Sequence, residues 1–67
     1  MTLKELRRQN GKTAKEVADR LGLSLNALYN YENGIREIKI EQVLILSKLY
    51  DCMEREVIEA QLNSKKV

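Results

Sequence analysis

Asn26 and Asn30, four residues apart, are the side chains best suited to directional chemistry in this sequence, because a carboxamide presents a donor and an acceptor side by side. Leu25, Ala27 and Tyr29 stand among them and add apolar surface and a phenol. This is recognition chemistry. Histidine is absent and Cys52 is the only cysteine, so one chain can assemble neither a His/Cys metal site nor a disulfide. No nucleophile has an evident base, no glycine-rich loop is built to cradle a phosphate, and 67 residues leave no room for a deep pocket. An enzyme is therefore excluded, and nothing calls for a cofactor, a metal or a small-molecule effector.

The charges favour a polyanionic partner weakly. Residues 1–36 carry seven Lys and Arg (Lys4, Arg7, Arg8, Lys12, Lys15, Arg20, Arg36) against four acids, a balance of +3, whereas the remainder comes to −1. Such an excess is also common on solvated helices. No apolar run reaches the length of a membrane span or of a secretory leader. With a single cysteine, a reducing cytoplasm is the expected compartment, and Met1 with a charged tail suggests a complete chain.

The elements that must position these side chains are helices. Thr2 followed by Glu5, and Thr13 followed by Glu16, are capping boxes, in which a hydroxyl takes the third helical amide and a carboxylate reaches back. They open helices at about Leu3–Asn10 and after Thr13, closed by Gly11 and Gly22 in the left-handed conformation. Ser24 caps a third helix to about Asn33, with Gly34 as its stop. After a loop from Ile35 to Lys39, the residues Ile40, Val43, Leu44, Leu46, Ser47 and Tyr50 fit the wide apolar face of a buried fourth helix. Asp51 and Cys52 break that pattern, and Met53 to about Leu62 can form a fifth helix before a polar tail. Nothing alternates with period two, so the fold class is all-α with five helices. A single domain over residues 1–63 is expected, with residues 64–67 as a frayed tail.

The second and third helices form a distinctive pair. A steep crossing after a short turn needs a small residue at the contact and a positive φ in the turn, and Ala18 and Gly22 meet these needs. Val17, Leu21, Leu23, Leu28 and Tyr31 then pack inward, leaving Leu25, Asn26, Ala27, Tyr29 and Asn30 outward on a helix free to enter a groove.

With Gly22-Leu23-Ser24 leading to Tyr31-Glu32-Asn33-Gly34, the chain resembles the phage repressor and Cro type of helix-turn-helix regulator, also called the xenobiotic-response-element family. The resemblance covers roughly Leu3 to Val57, with the helix-turn-helix proper at residues 13–34. It implies a compact repressor-like domain that binds double-stranded DNA. The start of the third helix would read base edges in the major groove, which assigns Leu25, Asn26, Ala27 and Asn30. Asn can bond adenine N6 and N7 together, and Leu or Ala can pack on a thymine methyl, a set favouring A·T-rich sites. Phosphate contacts are expected from Arg8, Lys12, Thr13, Lys15, Ser24, Tyr29, Asn33 and Arg36, with helix N-termini near Thr13 and Ser24 adding backbone amides. Arg7 and Glu32 occupy the positions of a structural ion pair.

The chain also departs from the family pattern. Ala14 stands where the family usually has a phosphate-binding Gln, Lys12 replaces an apolar residue, Ile38 replaces a Pro, and the third helix carries no Lys or Arg. These changes leave a second reading open: a protein-interaction module, such as an antitoxin, anti-repressor or accessory factor, with vestigial DNA binding. Tyr29 can serve as a phosphate donor or as a lid on the first helix, and Cys52 as a small hydrophobe in the bend or as a redox sensor. A single recognition helix buries little, so a homodimer spanning half-sites about 34 Å apart is expected. Two apolar stripes on the fifth helix, Met53/Val57/Ala60 and Ile58/Leu62, exceed what docking on its own core needs. Ile58 and Leu62, helped by Ile45 and Leu49, are therefore the expected dimer contact, while Met53 and Val57 join the core around Cys52.

Overall fold

Thr2, Thr13 and Ser24 each cap a helix as their spacing predicts. The computed structural model describes residues 1–65 and, among them, five helices and no strand: α1 (Leu3–Gln9), α2 (Ala14–Leu21), α3 (Leu25–Glu32), α4 (Ile40–Leu49) and α5 (Glu54–Ser64). Both capping boxes form in full. Thr2 Oγ1 accepts from the Glu5 amide while the Glu5 carboxylate accepts from the Thr2 amide, and Thr13 with Glu16 repeats the arrangement. These backbone bonds hold the Glu5 and Glu16 carboxyls below the ordinary carboxylate range.

Four helices end alike. Beyond α1, α2, α3 and α4 a residue turns left-handed: Gly11, Gly22, Gly34 and, without a glycine, Asp51 at φ 49°. In each case the following amide reaches back six residues inclusively, as in Leu23 N–H to the Ala18 carbonyl at 2.8 Å and Cys52 N–H to the Ser47 carbonyl at 2.9 Å. This closure satisfies carbonyls that the helix leaves orphaned. Gly34 is under a second constraint, because a Cβ there would overlap the Ser64 carbonyl oxygen at the end of α5.

The core lies where all five helices converge. Val17 and Val57 are fully buried, and Leu3, Leu6, Ala14, Ala18, Leu28, Val43, Leu46, Tyr50 and Ala60 surround them. Leu21, Ile38, Leu49 and Cys52 pack partly buried against this cluster. Fully burying one such aliphatic side chain contributes about 1.5–3 kcal/mol. The chief packing pairs are α4 on α5, α2 on α3 and α1 on α5.

Three expectations are corrected. Ile40 and Leu44, assigned to the buried face of α4, are 77% and 42% exposed; Val43, Leu46, Ser47 and Tyr50 of that face are buried as expected, and Gln42, left out of it, joins them. The apolar residues of α4 nearly encircle it, so the docking of α5 decides which flank faces in. Met53 was expected in the core but is 63% exposed, because it precedes α5 as its N-cap, outside the helix that docks. Ser64 was expected to begin a frayed tail, yet it belongs to α5 and is buried. Its hydroxyl accepts from the Leu3 amide at 2.9 Å and donates to the Ala60 carbonyl at 2.7 Å, occupying an amide that α1 cannot satisfy itself. Lys65 pairs with Glu37, and residues 66–67 of that expected tail lie outside the described residues.

Candidate nucleic-acid interface

The α2–α3 pair begins with a small residue. Ala18 is buried, Gly22 takes φ 69°, and Ser24 opens α3, its hydroxyl accepting from the Ala27 amide at 3.1 Å. Leu28, Tyr31 and Glu32 are the buried residues of α3. Leu25, Asn26 and Tyr29 are exposed, and Ala27 and Asn30 are half-buried. All four residues expected to read bases, together with Tyr29, are thus at least partly accessible on α3. The amides of Leu25 and Asn26 lie in its first turn, where no intrahelical acceptor exists.

One guanidinium fixes the orientation of α3. Arg7 donates from Nε to Glu32 Oε2 at 2.7 Å and from Nη2 to Glu32 Oε1 at 3.2 Å, a two-pronged bond between α1 and the last turn of α3. The side chains are 8% and 3% exposed. Bonding to Glu32 raises the Arg7 guanidinium above its ordinary value, against the opposing effect of burial. A carboxylate at a helix C-terminus faces the negative end of the dipole, and Arg7 offsets that as well. The third prong, Nη1, donates to the Lys12 carbonyl at 3.2 Å. The same side chain therefore pins the loop that leads to Thr13 and the start of α2.

The expected phosphate contacts are distributed around this pair. Arg8, Thr13, Lys15, Ser24, Asn33 and Arg36 are exposed, and Lys12 is half-buried. Lys15 lies 3.7 Å from Asp19 in a highly exposed pair, which leaves its ammonium largely free. Thr13 and Ser24 use their oxygens as acceptors within the caps; each hydroxyl proton remains available. Asn33 caps the C-terminal end of α3, and the Arg36 guanidinium lies 5.9 Å from the centre of the Tyr31 ring. Ala14 is buried and offers a phosphate nothing.

Gln61 was missed from the sequence. It is buried, and its Oε1 accepts from the Ile38 amide at 2.8 Å, tying the α3–α4 loop to α5. That bond uses an N–H that a proline at position 38 would lack. The available signal was its spacing of four from Val57, which puts both on one face of α5. Of the expected dimer residues, Ile58 and Leu62 are exposed, whereas Ile45 and Leu49 are partly buried and Leu49 packs on the core.

Among the described residues no helix is long and apolar enough to cross a membrane, and no group of three or more His, Cys, Asp or Glu is placed to hold a metal.

Comparison with known proteins agrees with this geometry. The helix-turn-helix family model matches residues 3–57. The chain is 33% identical over 70 residues to a provisionally named HTH-type transcriptional regulatory protein of Thermococcus kodakarensis, covering 94% of this chain and 22% of that protein. It is 43% identical over 49 residues to the HTH-type transcriptional regulator ImmR of Bacillus subtilis, covering 73% of this chain and 39% of ImmR. The chain thus matches well under half the length of either relative. No solved structure matches it significantly. With a match that runs from α1 into α5 and a helix pair built on Ala18, Gly22 and Ser24, this chain belongs to the helix-turn-helix family of the repressor and Cro type.

Proposed function

We propose that this chain is a sequence-specific regulator of transcription, a repressor, that inserts α3 into the major groove of double-stranded DNA as a homodimer in the cytoplasm. The observation that carries this reading is the arrangement of α3: Leu28, Tyr31 and Glu32 hold it inward through the core and Arg7, so that Leu25, Asn26, Ala27 and Asn30 lie on its accessible side. Asn26 and Asn30 bond adenine edges, Leu25 and Ala27 pack on thymine methyls, and the site is A·T-rich. Arg8, Lys12, Thr13, Lys15, Ser24, Tyr29, Asn33 and Arg36 hold the phosphates on either side, which fixes register without reading sequence. Repression follows from occupancy of the operator.

Selection from random duplexes with the purified protein tests this directly. Enrichment of a two-fold-symmetric, A·T-rich site, with affinity falling steeply as salt rises, is the expected result. The absence of cations from α3 and the buried Ala14 favour one other reading, an interaction module that has lost DNA binding. Failure to enrich any sequence, together with no salt-dependent retention on DNA, would establish that reading and defeat ours.

A further inference from the structure

Four large aliphatic side chains of α4 and α5 remain outside the core: Ile40 at 77% exposure, Leu62 at 57%, Ile58 at 48% and Leu44 at 42%. Ile40, Ile58 and Leu62, with Ile38 and Val43, line a groove of about 250 Å³ between the start of α4 and the end of α5. Leu44 lies one turn along α4 from Ile40. Together the four expose on the order of 400 Å², a size at which a single apolar patch on a monomer commonly has a function. It is about half of the roughly 800 Å² that each partner contributes to a standard interface. Gln61 also lines this groove, and its buried Nε2 has no acceptor within the chain.

We infer that this groove is the contact with a second copy of the chain, with Ile40 rather than Ile45 or Leu49 as the chief contribution of α4. A protruding Ile40 and the hollow beside it occur on one face, which is what a two-fold contact requires: each copy inserts its Ile40 into the groove of the other. The flanking charges fit the same symmetry. Lys39 and Glu41 stand on either side of Ile40, both exposed and, among the described residues, neither in an ion pair. Two α4 N-termini passing antiparallel bring Lys39 of each copy to Glu41 of the other. The inference deepens the homodimer of the proposed function and specifies its surface.

Sedimentation of the protein without DNA tests the contact. The unaltered chain should be a dimer at about 100 µM, and Ile40→Lys should weaken dimerisation roughly hundredfold. Because position 40 is exposed, its helical signal and melting temperature as a monomer should be retained. Met53→Lys, an equally drastic change at an exposed apolar residue outside the groove, should leave the dimer intact. Lys39→Glu and Glu41→Lys should each weaken it several-fold, and the double exchange should restore it. A monomeric unaltered chain, a dimer indifferent to Ile40→Lys, or a double exchange that fails to restore association overturns the inference. Duplex binding by the unaltered chain is scored separately: a dimer that ignores DNA refutes the regulator reading alone, and a monomer that binds DNA refutes the contact and the homodimer while leaving DNA binding by α3 in place.

Discussion

Arg7 uses three separate N–H groups on two neighbours: two on Glu32 and one on the Lys12 carbonyl. A lysine cannot reproduce that fork. Glu32→Gln leaves the guanidinium buried without its charge partner and should cost about 3–5 kcal/mol, read as a large fall in melting temperature; a melting curve that barely moves would contradict the burial of the pair. Asn26 stands outside this network, so its role is separable from folding. Asn26→Ala should lose about 1–3 kcal/mol on the selected site with little change on random duplexes, measured by competition binding; equal losses on both would make it a backbone contact. Tyr50 reports on alkaline stability. Burial raises its phenol well above the ordinary value of 10.0, with Glu32 adding to the rise. Because the folded state favours the neutral phenol, this contribution is present in full below pH 10 and is lost as pH rises above it. Tyr50→Phe should therefore flatten the alkaline decline in stability between pH 10 and 12 on denaturant titration, and an unchanged profile would assign the decline to other groups.

At the scale of elements, chain reversal after each of the first four helices depends on one left-handed residue, and Asp51 alone fills that place without being glycine. An L-residue other than Gly, Asn or Asp pays about 1–2 kcal/mol for that conformation, and Asp pays part of it. Asp51→Gly should stabilise the domain by about 0.5–1 kcal/mol, seen as a higher denaturant midpoint with unchanged slope; a lower midpoint would show that the Asp51 side chain contributes a contact of its own. These helix ends were legible in the sequence because they are local. Thr2 with Glu5, Thr13 with Glu16, Ser24 and the three glycines interact over three to six residues, and each formed as read. The candidate recognition face was legible for a related reason: once Ala18 and Gly22 define the crossing, Leu28 and Tyr31 dictate which side of α3 is left over. The flanks of α4 were not. Ile40 and Leu44 read as part of the buried face and Ile45 and Leu49 as outside it, and only the docking of α5, distant in sequence, leaves the first pair exposed and the second half-buried. Gln42, Gln61 and Ser64 escaped notice similarly, since a polar side chain reads as solvated until its buried partner is known.

For the whole molecule, the decisive bonds are those that join its extremities. Leu3 is tied to Ser64 across 61 positions, Asn63 Nδ2 donates to the Met1 carbonyl at 3.0 Å, and Gln61 anchors Ile38. Helix α5 thus contacts α1, α4 and the loop after α3, and so supports the helix pair from behind. This arrangement has a consequence for biosynthesis. A ribosome delivers α1 first and α5 last, yet Leu3 and Leu6 share a core with Val57 and Ala60. Until the last helix emerges, the first has no finished surface to settle on, and its amide at Leu3 has only water. The nascent chain therefore completes its core only after the α2–α3 pair has already been made.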